Sequence, residues 1–188
     1  MTFKKFLVFI FLFNLITYSY AQKKYLGVGL GLLGMKEFQK YSSSPNLETS
    51  FTLSSSIFLV NVKYMFIPRP KFKIYKANIH TSNLLLGLKT NTDRQLFLSI
   101  SAGAQVLFPS YSAKPSSYFL INQINPIFNL SIYYNLTPKN IISLNYYLSR
   151  IRTTVIDRHS NGDIYSFNNN FTLTYLFQIS RRKRNKPE

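Results

Sequence analysis

Apolar and polar residues take turns along this chain with a period of two. From Tyr165 to Ile179 the odd positions are Tyr165, Phe167, Asn169, Phe171, Leu173, Tyr175, Phe177 and Ile179, and the even ones are Ser166, Asn168, Asn170, Thr172, Thr174, Leu176 and Gln178. Successive strand residues point to opposite sides of a sheet, so this stretch is a strand with one aromatic face and one hydroxyl and amide face. At about 3.3 Å per residue it reaches roughly 50 Å, longer than a modal globular strand and more than the ~9 to 11 tilted residues that cross a bilayer.

The same period predicts strands over 24–33, 50–66, 71–78, 82–90, 95–108, 124–136, 141–152 and 165–179. In the first, Gly27, Gly29 and Gly31 share a face and leave room for close approach inside a narrow barrel. In the second, Phe51, Leu53 and Ile57 have the opposite parity to Phe58, Val60, Val62, Tyr64 and Phe66; a bulge near Ser54 to Ser56 reconciles the halves, and two separate strands are the rival reading. The polar segment 34–48 reads as a loop, Pro68-Arg69-Pro70 and Asn91-Thr92-Asp93-Arg94 as short connections, and Thr137-Pro138-Lys139-Asn140 as a tight turn. Connections after the second, fourth and sixth strands are short, and those after the first, fifth and seventh are longer. The short one after the third, near Ile79 to Thr81, breaks the rule. No other segment carries a helical repeat.

Composition decides which face looks outward. Only 15% of residues are charged while 16% are aromatic, and the second face consists of Ser, Thr, Asn, Gln and Gly with scattered Tyr. A soluble barrel carries Lys and Glu outside; this face suits a hydrogen-bonded interior. The reading is an all-β chain, an eight-stranded antiparallel transmembrane β-barrel, with Leu96, Leu98, Ile100, Phe128, Leu130, Ile132, Leu144, Tyr146, Phe171, Leu173 and Tyr175 facing lipid. Aromatics near strand ends (Tyr25, Tyr64, Phe66, Phe108, Tyr134, Tyr165, Phe167, Tyr175 and Phe177) read as interfacial girdles. Lys63 and Lys89 fall on the inward face, where a lone ammonium needs a partner or a nearby rim.

The N-terminus adds export. Lys4 and Lys5, the apolar run 6–16 and Ser19-Tyr20-Ala21 form a secretory signal, with cleavage expected between Ala21 and Gln22. The division is then a signal peptide over 1–21, a barrel over 22–180 and a basic periplasmic tail over 181–188. The chain has no cysteine, which excludes thiol nucleophiles, redox pairs and zinc fingers. Lys and Arg number 23 against 6 Asp and Glu. Such a balance points to nucleic acid or an anionic surface, and an exported chain meets the second. The short-turn end is expected to carry Lys63, Arg69, Lys71, Lys73, Lys76 and Lys89 with other basic residues. The Arg181-Arg182-Lys183-Arg184-Asn185-Lys186 tail is expected to stay solvated or to meet anionic lipid or an acidic cell-wall polymer.

The signal ending Ser19-Tyr20-Ala21-Gln22 and the eight strands together resemble the small outer-membrane β-barrel family of Gram-negative envelopes, in the size class of the OmpA transmembrane domain and OmpX, and the PorT-like barrels. The resemblance implies an outer-membrane location and a non-enzymatic structural, adhesive or accessory role, with outer-membrane lipid as the surrounding partner and no cofactor. Such barrels often end on an aromatic residue, whereas here Phe177 is followed by eleven residues.

Two alternatives carry chemistry of their own. His80-Thr81-Ser82-Asn83 is similar to the His-x-Ser-Asn run of the PagL-type lipid A deacylases, and a base beside a hydroxyl suits acyl transfer. Against it, four strands follow the run here, and the acid that would orient His80 is missing, Asp93 being assigned to the other rim. A soluble periplasmic lipid-binding barrel is the remaining alternative. Asp157, Arg158, His159 and Asp163 crowd one loop, as polar residues do in loops generally, and no catalytic or metal residue is assigned.

Overall fold

The computed structural model describes residues 23–37, 40–55, 57–68, 77–90, 95–111, 118–156 and 161–179, with side chains omitted at 35–37, 40–42, 118–119, 153–156 and 161–164. It is an antiparallel barrel built from β1 (Lys23–Glu37), β2 (Lys40–Ser54), β3 (Phe58–Ile67), β4 (Ala77–Lys89), β5 (Leu96–Tyr111), β6 (Tyr118–Leu120), β7 (Gln123–Thr137), β8 (Asn140–Ile156) and β9 (Asn161–Gln178). Apart from the short β6, each strand pairs with the next around the ring, β5 passing directly to β7, and β9 returns to β1, so the cylinder closes. The short β6 pairs with β8 beyond the end of β7 and is its continuation after a break at Ile121 and Asn122. The barrel therefore has eight staves, as the alternation predicts.

Two of those staves differ from the expected ones. The stretch 50–66 is not one bulged strand: the chain reverses after Ser54, and Phe51↔Val62 and Leu53↔Val60 face each other across the β2–β3 ladder. Ser55 closes the reversal by accepting the Phe58 amide on its hydroxyl at 3.0 Å. The change of parity at the three serines is thus the mark of a turn. Conversely, the strand expected over 71–78 lies mostly outside the described residues, and its last two, Ala77 and Asn78, open β4. The connection expected at Ile79 to Thr81 lies within β4.

The segment 34–48 is mostly strand. β1 and β2 stay paired from Lys23↔Ser54 to Glu37↔Lys40. Its polar residues look loop-like in sequence because Ser44, Asn46 and Glu48 face the barrel interior, where polar side chains belong. Pro45 fits because β3 pairs with β2 only as far as Leu47↔Phe66, so no neighbour awaits its absent N–H. Pro109 and Pro126 follow the same logic: pairing of β5 with β7 stops at Leu107↔Gln123, and pairing of β7 with β8 starts at Ile127↔Ser149.

With this strand order both described chain ends, Lys23 and Ile179, lie at one rim, the terminal rim, from which the connections after β2 and β4 and the turn at 138–139 also leave. At the last of these, the Thr137 hydroxyl accepts the Lys139 and Asn140 amides at 3.3 and 3.1 Å, and Pro138 holds the second position as expected. The connections after β1, β3, β5 and β8 leave from the distal rim. The chain between β3 and β4, which carries Arg69, Lys71, Lys73 and Lys76, therefore joins strand ends at the distal rim and not at the short-turn end where those charges were expected.

Candidate functional site

The inward face has three layers. Next to the terminal rim, Tyr25, Leu59, Phe97, Tyr133, Ile141 and Leu176 form an apolar collar, with the Phe97 and Tyr133 rings stacked at 4.6 Å. Near the distal rim, Leu33, Ile67, Ile79, Leu107, Leu120 and Ile151 form a second one. Between them lies a belt of buried Asn, Ser and Thr around Glu48, Lys63 and Tyr147. Tyr25 thus belongs to the inner collar and not to an outer girdle.

Lys63 reaches Glu48 at 3.3 Å, and both side chains are almost fully buried. Among the residues whose side chains are described, Glu48 is the only acid. Lys63 also donates to the Tyr147 hydroxyl and lies 4.9 Å from that ring's centre. Tyr147 passes the bond on, donating to Glu48 Oε2 at 2.8 Å. Thr172 and Thr174 donate to the same carboxylate at 3.0 and 2.9 Å. Each threonine hydroxyl in turn accepts from the Asn145 amide, at 3.2 and 3.1 Å, and Asn145 accepts from Ser131 at 2.8 Å, which accepts from Asn129 at 2.8 Å. Donors from β3, β8 and β9 therefore meet at one carboxylate, with β7 behind them through Asn145, which is how a buried negative charge is made tolerable.

The glycines of β1 make this reach possible. Gly29 lies between Glu48 of β2 and Thr174 of β9 in the register. With no side chain on β1, Glu48 crosses that strand to the threonines beyond it. A Cβ on Gly29 would stand 2.7 Å from the Thr174 hydroxyl and 2.9 Å from the Leu173 carbonyl. Asn46 crosses at Gly31 in the same way, donating to Asn170 at 2.8 Å. Sequence reading finds the glycine stripe and the inward lysine. It misses Glu48, which was placed in a loop, and Tyr147; the parity of Glu48 with Asn46 and Ser50 is the signal that finds it.

Lys89, the other inward lysine, lies beside the terminal rim, donates to the Ser54 hydroxyl and sits 5.7 Å from the Phe97 ring centre. Between the belt and the distal collar, Thr81, Gln105, Tyr147 and Asn170 help to line a cavity of about 10 Å³, room for roughly one water molecule.

The outward face is apolar. Leu96, Leu98, Ile100, Phe128, Leu130, Ile132, Leu144, Phe171, Leu173 and Tyr175 are exposed there, Ile100 at 65%. Tyr146 is half-buried on the same face, packs on Phe171 at 4.7 Å and donates to Asn169 at 3.0 Å, which satisfies an amide in an otherwise greasy row. Of the exposed aromatics, Phe58, Tyr134, Tyr175 and Phe177 lie toward the terminal rim and Phe108, Tyr165 and Phe167 toward the distal one, with Tyr64, Phe128 and Phe171 between. Arg150 lies 4.0 Å over Tyr165 in the distal set.

His80 and Ser82 share the outward face, as their parity predicts. The ring nitrogen of His80 is held by the Tyr64 hydroxyl at 2.6 Å, and Phe66 packs on it at 4.9 Å. Among the residues whose side chains are described, the one acid, Glu48, points inward, behind the sheet. His80 thus sits in an aromatic cluster. Asp157, Arg158 and His159, the side chain of Asp163, the cleavage pair Ala21 and Gln22 and the tail 181–188 lie outside the described residues.

No family model matches the chain, and no curated protein matches it. Solved structures do. Neisserial surface protein A superposes with a TM-score of 0.61 at 10% identity, covering 85% of this chain and 99% of its own. A de novo designed transmembrane β-barrel gives 0.53 at 9% identity, covering 84% and 95%. Ail, the attachment invasion locus protein of Yersinia pestis, gives 0.53 at 12% identity, covering 84% and 98%, and has also been solved in complex with the heparin analogue sucrose octasulfate. At these identities what the chain shares with them is the fold: a small closed antiparallel barrel.

Proposed function

We propose that this chain is an integral β-barrel of a Gram-negative outer membrane, exported by a signal cleaved between Ala21 and Gln22, with a structural, adhesive or accessory role and no catalysis of its own. The observation that carries the proposal is the inverted layout: charge and amides inside, aliphatic and aromatic residues outside, and a cylinder without an open edge. A strand protein in lipid must satisfy every backbone N–H and C=O, and closure does this. The outward residues of β5 from Leu96 to Phe108 span about 40 Å along the strand, hence roughly 30 Å across the barrel at the usual 35–45° tilt, which matches a hydrocarbon core. Leu96, Leu98, Ile100, Phe128, Leu130, Ile132, Leu144, Tyr146, Phe171, Leu173 and Tyr175 then face acyl chains.

In this orientation the terminal rim is periplasmic, and the tail 181–188 meets anionic lipid or an acidic cell-wall polymer there. The adhesive role is favoured by what joins the strands at the distal rim: Lys36, Lys40, Arg69, Lys71, Lys73, Lys76, Lys114 and Arg158 in or beside the connections, with Arg150 and Arg152 on β8, against Glu37, Asp157 and Asp163. Such an excess suits a polyanionic surface. The test is fractionation with a gel run on heated and unheated samples. The proposal expects the chain only in detergent-requiring outer-membrane material, with faster migration before heating. Recovery in the soluble periplasmic fraction would overturn it.

A further inference from the structure

On the assumption that the barrel is membrane-embedded, we infer that its outer wall holds a binding site for one anionic phospholipid, with an acyl chain in a recess over β1, β2 and β3 and the phosphate at Lys24. On the outward face, Leu26, Val28, Thr49, Phe51, Val62 and Tyr64 line an open recess of about 440 Å³, within the ~300 to 1,000 Å³ typical of ligand pockets. Its shape follows from the sequence. Thr49 is a short side chain between Val28 and Tyr64, its register partners on either side. Its floor is the backbone at Gly27 and its partner Ser50, residues whose side-chain positions face the barrel interior. Bulky Phe51 and Tyr64 stand as walls one row apart, so a flexible chain of methylenes fits where a flat aliphatic surface would offer no groove.

The charge beside the recess selects the occupant. Lys24 has the same outward parity as Leu26 and Val28 and lies one outward position nearer the terminal rim, about 7 Å along the strand from Leu26. Both Lys23 and Lys24 are exposed. An ammonium at the edge of an apolar band, on the same face as the recess, is placed to meet a phosphate whose acyl chain lies in that recess. A neutral hydrocarbon or a second copy of the barrel would fill the recess without using the lysine. The terminal rim makes the ligand a lipid of the periplasmic leaflet, a phospholipid.

The test is native mass spectrometry of the full mature chain, inserted into vesicles of equimolar phosphatidylethanolamine and phosphatidylglycerol and released in mild detergent. The expected result is a species retaining one phosphatidylglycerol. Thr49→Phe fills the recess from outside and should lower the retained fraction at least tenfold, since burying about two methylenes is already worth that much. Lys24→Gln should keep lipid in the recess but reduce the preference for phosphatidylglycerol about fivefold. Equal retention of both lipids by the unaltered chain, retention unchanged by Thr49→Phe, or a dimer that Thr49→Phe abolishes would each overturn the inference. A heat-modifiable gel shift of the same samples separates the two levels of argument. A chain that never inserts removes the membrane reading and this site together; one that inserts and fails these tests removes the site alone.

Discussion

Lys63 and Lys89 point into the same barrel from neighbouring strands, yet their surroundings differ with depth. Lys63, at mid-height, is met by a carboxylate and a phenol, and that carboxylate is itself bound by two threonines. Lys89, beside the terminal rim, rests near an aromatic ring and donates to a serine. Lys89 keeps 8% of its surface exposed against 3% for Lys63. An ammonium far from solvent requires a counter-charge, and the counter-charge then requires donors of its own, so a single lysine at mid-height organises five strands.

The largest way to break this contrast is Lys63→Met, which leaves Glu48 charged and uncompensated; the barrel should lose about 3–5 kcal/mol, read as a lower guanidinium midpoint of the folded, detergent-solubilised protein. Adding Glu48→Gln to that variant should recover most of the loss, because removing both charges is close to neutral where removing one is not. Failure to recover would show that the belt depends on the pair itself. Gly29→Val should come next, at roughly 1–3 kcal/mol, because its side chain crowds Thr174 and the Leu173 carbonyl and blocks the crossing of Glu48. Thr174→Val removes one charge-assisted donor and should shift the same midpoint by about 1.5 kcal/mol. The smallest effect is expected for Lys89→Met, at or below about 1 kcal/mol, and a loss as large as that of Lys63→Met would erase the distinction by depth.

Much of this architecture is legible from alternation alone, because a period of two survives whatever the strands do in space. The outward row of β5 and the tight turn at Pro138 needed nothing further. What alternation does not carry is where the chain turns when both sides of the turn are polar. Ser54-Ser55-Ser56 reads equally as a bulge or a reversal, and the segment from Ser42 to Glu48 reads as a loop because a strand whose inward face is Ser44, Asn46 and Glu48 resembles one. Merging 50–66 into one strand and counting 71–78 as another cancelled in the strand count, but the merger moved Arg69, Lys71, Lys73 and Lys76 to the opposite rim. Glu48 stays hidden because the polar inward row around it makes its strand look like a loop. Apart from Lys63, its partners lie 99 to 126 residues away in the chain, a distance no local pattern spans.

The two apolar collars have an electrical consequence. A hydrated ion crossing either collar must pass a layer of Leu, Ile and aromatic rings, and sheds its water there with little to replace it. A voltage applied across the protein therefore falls over an insulating plug, and in this closed state the cylinder behaves as a solid post and not as a conducting pore.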